Sequence, residues 1–197
     1  MALTGGIATG KSTAVKILRE LDEGVRIFDC DESVQVLLKS GEVLEEISEA
    51  LGSPVMDEKG ELNREVLRSL VFDQPEQRKK LEQVLHPKVR KECLVKRDEF
   101  RSNPRTTLFV ADVPLLFESG FHFGQELSLV VATSSATQRV RLKARSHFED
   151  RMITSILQAQ LPIMEKVARG DVVFWNEGPP SILRRQLQRF LTSLLIS

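Results

Sequence analysis

The sequence predicts an α/β fold, a parallel sheet flanked by helices, with a helical lobe and a helical lid attached. Three observations carry that expectation. Short, nearly continuous apolar runs such as LFVA and LVVA alternate with amphipathic stretches, as strands buried on both faces do. A glycine-rich turn follows the first apolar stub and opens directly onto a helix. The residues from about 31 to 105 have helical periodicity and no obvious strand. That stretch is too long for a simple crossover and is expected to form a separate lobe within one domain spanning 1–197.

Taken in order, Ala2 and Leu3 form a strand stub, and Ala14, Val15, Ile17, Leu18 and Leu21 mark one face of a first helix. Val25, Ile27 and Phe28 read as a strand ending at Asp29. Val34, Leu37 and Leu38, then Val43, Leu44, Ile47 and Leu51, recur at helical spacing. After a turn-rich segment, Asn63 is placed to cap a helix through Val66, Leu67, Leu70 and Val71. Pro75 to Phe100 is highly charged, with Leu81, Val84, Leu85, Val89 and Leu94 on one face and Pro87 expected to interrupt or kink it. Strands are expected at Thr107 to Ala111 and Leu127 to Ala132. Helices follow over SATQRVRLKARS, over Met152 to Gln160, and from Pro162 to about Arg169. DVVFW is a last short strand, and SILRRQLQRFLTSLLIS a closing amphipathic helix.

The 197 residues suffice for one sizeable core, or one core plus a small insertion. With 28 basic and 28 acidic residues the formal net charge is zero, so bulk attraction to nucleic acid or membrane is not indicated. Cys30 and Cys93 lie far apart and suit a reducing compartment. No apolar run approaches the length of a membrane span, and the glycine-rich turn occupies the place of a signal peptide. A cytoplasmic protein acting on a small molecule, as a monomer or a weak oligomer, is the expectation.

Gly5, Gly10, Lys11 and Ser12 fit G-x-x-x-x-G-K-[ST], the phosphate-binding P-loop. Glycines let the backbone turn several N–H groups toward one anion, and the helix N-terminus adds its positive dipole end. The cradle spans Gly5 to Thr13, including Gly6, Ala8 and Thr9. Lys11 is placed for the outer phosphates of ATP, and the Ser12 hydroxyl for Mg²⁺. Asp112 ends an apolar strand, where an acid can hold Mg²⁺ through water or simply shape a turn.

The P-loop alone leaves switch, motor and kinase open. No N-K-x-D guanine reader is present, and a motor of the usual kind is longer. A small kinase needs an acid beside the acceptor hydroxyl, a lobe for the acceptor and arginines on a lid. In FDCD, Asp29 and Asp31 would project to one side of an extended backbone at the strand's carboxyl end, where α/β sheets place ligands, or would cap the next helix. Arg141 and Arg145 share one helix face, with Arg139 nearby, on a lid expected at about 138–165. Guanidinium is a planar, permanent fork for phosphate, though a solvated basic face paired with Glu149 and Asp150 is the alternative. KVRKECLVKRDEF interleaves its bases with acids and reads as a solvated helix face.

These residues together resemble the dephospho-coenzyme A kinase family from end to end. LTGGIATGKST resembles its opening, and FDCD its paired aspartates. LEQVLHPKV, with Leu85, His86 and Pro87, and DVPLLFE, with Pro114, Leu115, Leu116 and Glu118, resemble its more specific segments. TQRVRLKAR resembles its lid, and the segment holding Lys166, Ala168, Asp171 and Asn176 its closing stretch. The chain departs from the usual pattern at Ser146 and Trp175, where the family usually has aspartate. The resemblance implies ATP-dependent phosphorylation of the ribose 3′-hydroxyl of dephospho-coenzyme A. Asp31 would be the catalytic acid, with Lys11, Arg141 and Arg145 on the phosphates and Asn176 beside the nucleotide. Asp29, His86, Pro114, Leu115 and Glu118 would line the acceptor site. Another small P-loop kinase with a nucleoside-type acceptor, or a nucleotide-binding protein that has lost transfer, is the alternative.

Overall fold

The computed structural model describes residues 1–71, 74–146 and 148–194. Along the chain run β1 (Ala2–Gly5), α1 (Lys11–Leu21), β2 (Val25–Asp29), α2 (Cys30–Leu37), α3 (Gly41–Leu51), α4 (Arg64–Val71) and α5 (Pro75–Arg101). They continue with β3 (Leu108–Asp112), α6 (Leu116–Ser119), β4 (Ser128–Ala132), α7 (Ser135–Ser146), α8 (Asp150–Gln158), α9 (Ile163–Arg169), β5 (Val172–Trp175) and α10 (Pro180–Leu194). Residues 72 and 73 of the expected lobe, His147 of the expected lid and residues 195–197 of the closing helix lie outside the described residues. The chain divides into two compact units, Met1–Phe28 with Arg97–Ser197, and Asp29–Lys96.

The first unit is built on a parallel sheet of order β2-β3-β1-β4-β5. β1 pairs with β3 in the register Leu3 to Asp112, and with β4 from Ala2–Ser128 to Gly5–Val131; β4 then pairs with β5 up to Ala132–Trp175. Side chains alternate across the sheet. Leu3, Val110, Leu129, Val131 and Phe174 pack with Ala14, Ile17 and Leu18 of α1 and Leu183 and Leu187 of α10. Val130 and Ala132 face the other way, onto Ile163 with Phe117, Val167 and Val173. Because both faces of β4 are covered, its residues from Leu129 to Ala132 are fully buried, which is why that run is continuously apolar. Each such valine or leucine contributes about 1.5–3 kcal/mol through burial. Chain order reverses at β1, whose neighbours are β3 and β4, and ligands bind such sheets at the carboxyl ends beside this switch.

The second unit has its own core of Val43, Leu44, Ile47, Leu51, Val55, Leu67 and Leu85. Asn63 caps α4 as its position predicts, accepting from the Val66 N–H at 3.1 Å. One expectation is corrected here. Pro87 does not break α5, which runs unbroken through it for 27 residues; proline removes one N–H, so only the Gln83 carbonyl loses its helical donor. Among the described residues the lobe holds no strand, as its periodicity predicts; Met56 and Leu62 form only an isolated antiparallel bridge around an Asp57-centred turn.

Candidate active site

The loop between β1 and α1 is shaped by close contacts that only glycine permits. A Cβ at Gly5 would lie 2.6 Å from the Val131 carbonyl oxygen, and one at Gly10 would lie 2.2 Å from Asn176 Nδ2. Gly10 has φ +97°, and Ala8, which is not glycine, has φ +59°. Thr9 is fully buried and turns its hydroxyl back onto the Gly6 carbonyl at 2.8 Å. The first helical bond of α1 runs from Ala14 N to Gly10 O, so the N–H groups of Lys11, Ser12 and Thr13 precede the ladder. These three, with Ala8 and Gly10, have no hydrogen-bond partner among the described residues. Such a row of N–H groups at a helix start is an anion cradle.

Lys11 and Asp112 form an ion pair through Nζ and Oδ1. Lys11 follows β1 and Asp112 ends β3, the strand beside it, so the pair stands at the switch point. The Ser12 hydroxyl is exposed on the first turn of α1 and has no partner among the described residues.

Beneath the loop lies a second pair that the sequence did not single out as a pair. Lys166 is fully buried on α9; its Nζ contacts Glu118 Oε1 at 2.6 Å and donates to the Gly5 and Pro114 carbonyls, each at 3.3 Å. Glu118 Oε1 also accepts from Leu161 N at 3.1 Å. Thr4 Oγ1 adds a 3.1 Å bond to the Pro114 carbonyl. Glu118 and Pro114, expected at the acceptor, thus brace the exits of β1 and β3, whereas Leu115 is exposed. A lysine and a glutamate 48 positions apart give no local signal of pairing.

α7 separates its arginines. Arg141 does not stand free for phosphate: Nη1 donates to the Ala8 and Thr9 carbonyls at 3.3 and 3.4 Å, and Nη2 to the Asn176 carbonyl at 2.9 Å. Asn176 itself donates from Nδ2 to Thr9 O at 2.9 Å. It is therefore a loop brace from the end of β5. Arg145 is exposed and makes no hydrogen bond or ion pair with a described residue. Arg139 bonds Thr154 Oγ1, and Lys143 pairs with Asp150. Two glutamines missed in the sequence also reach the loop: Gln138 Nε2 donates to Ile7 O at 2.7 Å, and Ile7 N donates to Gln160 Oε1 at 2.9 Å. Glu177 accepts from Thr137 Oγ1 at 2.5 Å and from Ser134 N, ahead of α7. The Thr137 hydroxyl foremost, then Ser134, lowers its carboxyl to about 2. Asp171, from the closing stretch, accepts from Ser128 N and fixes the start of β4 against β5.

In the second unit, Asp29 accepts from the N–H groups of Asp31 and Glu32 at 2.9 and 3.1 Å. It is the N-cap of α2, the alternative kept open for it. The expectation that both acids lie in extended backbone fails, because the helix begins at Cys30 and Asp31 sits exposed on its first turn. Ser33 Oγ ties α2 to α5 through Glu92 Oε2. His86 is half-buried on α5.

A parallel sheet with this loop at its switch point, and an acid pairing the loop lysine, defines a P-loop nucleotide-binding protein. A sequence model of the family described as dephospho-CoA kinase matches residues 1–180. A dephospho-CoA kinase of Geobacillus kaustophilus is 38% identical, with 97% of this chain and 94% of the relative aligned. The crystal structure of TT1252 from Thermus thermophilus superposes with a TM-score of 0.78 at 32% identity, covering 98% of this chain and 96% of that one. Dephospho-CoA kinase from Campylobacter jejuni shares the fold, with a TM-score of 0.69 at 24% identity over 98% and 95% of the two chains. The chain belongs to the dephospho-CoA kinase family.

Proposed function

We propose that this chain transfers the γ-phosphoryl group of ATP to the ribose 3′-hydroxyl of dephospho-coenzyme A, giving coenzyme A and ADP, the last step of coenzyme A synthesis. The observation that carries the reading is a complete P-loop, with unbonded N–H groups and a lysine held by a carboxylate at the switch point, in a chain matched almost throughout by this family. The N–H groups of Ala8 and Gly10 to Thr13 receive the phosphates. Lys11 exchanges its Asp112 partner for the outer phosphates and neutralises charge that grows in transfer. The acceptor oxygen bonds to phosphorus as the bond to the bridging oxygen of ADP breaks, and Asp31 takes the hydroxyl proton. Asp29 shapes the helix that carries Asp31, and the helical lobe with His86 receives the acceptor. Arg145, without a partner among the described residues, supplies its guanidinium on the lid.

One exposed hydroxyl, Ser12, and one carboxylate, Asp112, are oxygen donors of the kind Mg²⁺ takes and would hold it. Such an ion supplies charge neutralisation across the phosphates. We also place the chain in the cytoplasm as a monomer. Two buried cysteines that are not joined in a disulfide suit that reducing compartment. The test is ADP formation with dephospho-coenzyme A present and absent, with a nucleoside and a shikimate-type acceptor in parallel. Acceptor-dependent ADP with dephospho-coenzyme A alone, lost in a folded Lys11→Ala protein, is expected. Equal ADP with every acceptor, or undiminished transfer in Lys11→Ala, overturns the reading.

A further inference from the structure

The two ends of the lid segment meet on one residue of the phosphate loop. Ile7 gives its N–H to Gln160 and its carbonyl to Gln138, so both of its backbone polar groups are held by side chains. Gln138 lies on the first turns of α7, is 4% exposed, and comes so close that a Cβ on Gly6 would lie 2.7 Å from its Nε2. Gln160 lies between α8 and α9. The residue that follows Ile7 is Ala8, at φ +59°. A residue with a Cβ is disfavoured there by about 5–30-fold, so the surroundings must hold it. They do so by taking carbonyls: Ile7 by Gln138, and Ala8 and Thr9 by Arg141, one helical turn further along α7. Every carbonyl from Ile7 to Thr9 is thereby occupied, while the N–H groups of Ala8 and Gly10 have no partner among the described residues.

The side-chain chemistry matches this task. An amide side chain can donate, as Gln138 does to the Ile7 carbonyl, or accept, as Gln160 does from the Ile7 N–H, without placing a charge beside a phosphate. Carboxylates at these positions would repel the ligand, and lysine could not accept from Ile7 N.

We propose that Gln138 and Gln160 are positioning residues for nucleotide binding, a two-sided amide clamp that holds the two peptide groups flanking Ile7 and so keeps Ala8 in the left-handed conformation the phosphate cradle requires. The proposal rests on the reading of this loop as the ATP site. It also makes the lid segment and the cradle one mechanical unit at their root, with Arg145 beyond the anchored turns.

The test uses the whole chain with Gln160→Met and Gln138→Met, near-isosteric changes that remove only the amide, each alone and combined with Ala8→Gly. ATP affinity is measured by calorimetry without acceptor, alongside hydrogen exchange at the Ile7 amide, thermal unfolding and steady-state kinetics. Each single variant is expected to weaken ATP binding about tenfold, the consequence of losing one buried hydrogen bond of ordinary strength. Turnover at saturating ATP should change much less, so the effect falls on KM. Exchange at Ile7 should rise in Gln160→Met. Ala8→Gly should restore most of the lost affinity in both backgrounds, because glycine reaches positive φ without a Cβ clash. A merely structural role for the glutamines gives no such rescue. Folded Gln160→Met that binds ATP like the parent, or a deeper loss on adding Ala8→Gly, overturns the clamp. Because Gln160 is only half-buried, it carries the test if Gln138→Met fails to fold. A parent protein that binds no ATP would sink the nucleotide-site reading itself, and the clamp with it.

Discussion

Replacing Lys166 by methionine keeps the stem's volume and removes its charge from a fully buried position. The side chain is 0% exposed and Glu118 is 18% exposed. Removing one partner of a buried pair costs about 3–5 kcal/mol, because the other charge is left uncompensated. Glu118 Oε2 is already buried without a hydrogen-bond partner among the described residues, so little replaces Lys166 beside the carboxylate. The Gly5 carbonyl loses its donor from Lys166, whereas Pro114 keeps one from Thr4 Oγ1. For a chain of this size the unfolding temperature should fall by roughly 6–20 °C, at about 2–4 °C per kcal/mol. Adding Glu118→Leu removes the stranded carboxylate and should recover about half of the loss; full recovery is not expected, since Leu161 N then loses its acceptor. Below the transition, Lys166→Met should also raise the KM for ATP, because Gly5 opens the phosphate loop. The measurement is a double-mutant cycle by thermal or urea unfolding. A single variant costing under about 1 kcal/mol, the worth of an exposed pair, or a cycle without coupling, would falsify this account of the pair.

Three further outcomes are expected. Asp31→Asn should lower turnover by about 10²–10⁴ with modest changes in either KM, as removal of a general base does. Asp29→Asn should be nearly silent because asparagine still caps, while Asp29→Ala should destabilise α2 by about 1 kcal/mol. If Asp29→Asn proves the more damaging for turnover, the roles of the two acids are reversed. Glu177, lowered from 4.5 to about 2, stabilises the folded state fully above its unfolded value and loses that contribution as pH falls through its folded one. The difference in unfolding temperature between parent and Glu177→Gln should therefore be flat from neutrality to about pH 5 and shrink below it; a difference independent of pH down to 2 would contradict this. Arg145→Ala should lower turnover and leave unfolding unchanged, whereas Arg141→Ala should weaken ATP binding and lower the unfolding temperature.

Local chemistry made most of the first unit's elements legible. The runs at Val25–Asp29, Leu108–Asp112 and Ser128–Ala132 sit within a residue or so of their expected strands, because burial on both faces leaves an unbroken apolar signature. The loop at Gly5–Ser12 was legible for another reason: glycine spacing encodes backbone approach, and the contacts at Gly5 and Gly10 are what that spacing requires. Pro87 misled because a proline reads as a break, although a long helix can forgo one donor where the ring faces solvent. FDCD misled through a boundary effect. Asp29 is both the last strand residue and a helix cap, so the alternation that would align Asp31 with it stops one residue too soon. The Lys166–Glu118 pair and the two glutamines were illegible, since each is a tertiary meeting of residues whose own neighbours in sequence say nothing of the partner.

The lid helix shows how one motif holds two tasks. Arg141 and Arg145 share a face by spacing, so the sequence alone treats them as equivalent clamps. Their surroundings differ by one turn of helix. Arg141 reaches three backbone carbonyls at 2.9–3.4 Å and lies close to where α7 is anchored through Gln138. Arg145, one turn on, is past those anchors and exposed. A guanidinium bonded to carbonyls already satisfies much of its donor fork and contributes loop geometry; a free one retains its whole fork for an anion. The two substitutions should therefore separate kinetically, Arg141→Ala acting through KM for ATP and Arg145→Ala through turnover, with equal losses in both parameters for both variants refuting the division.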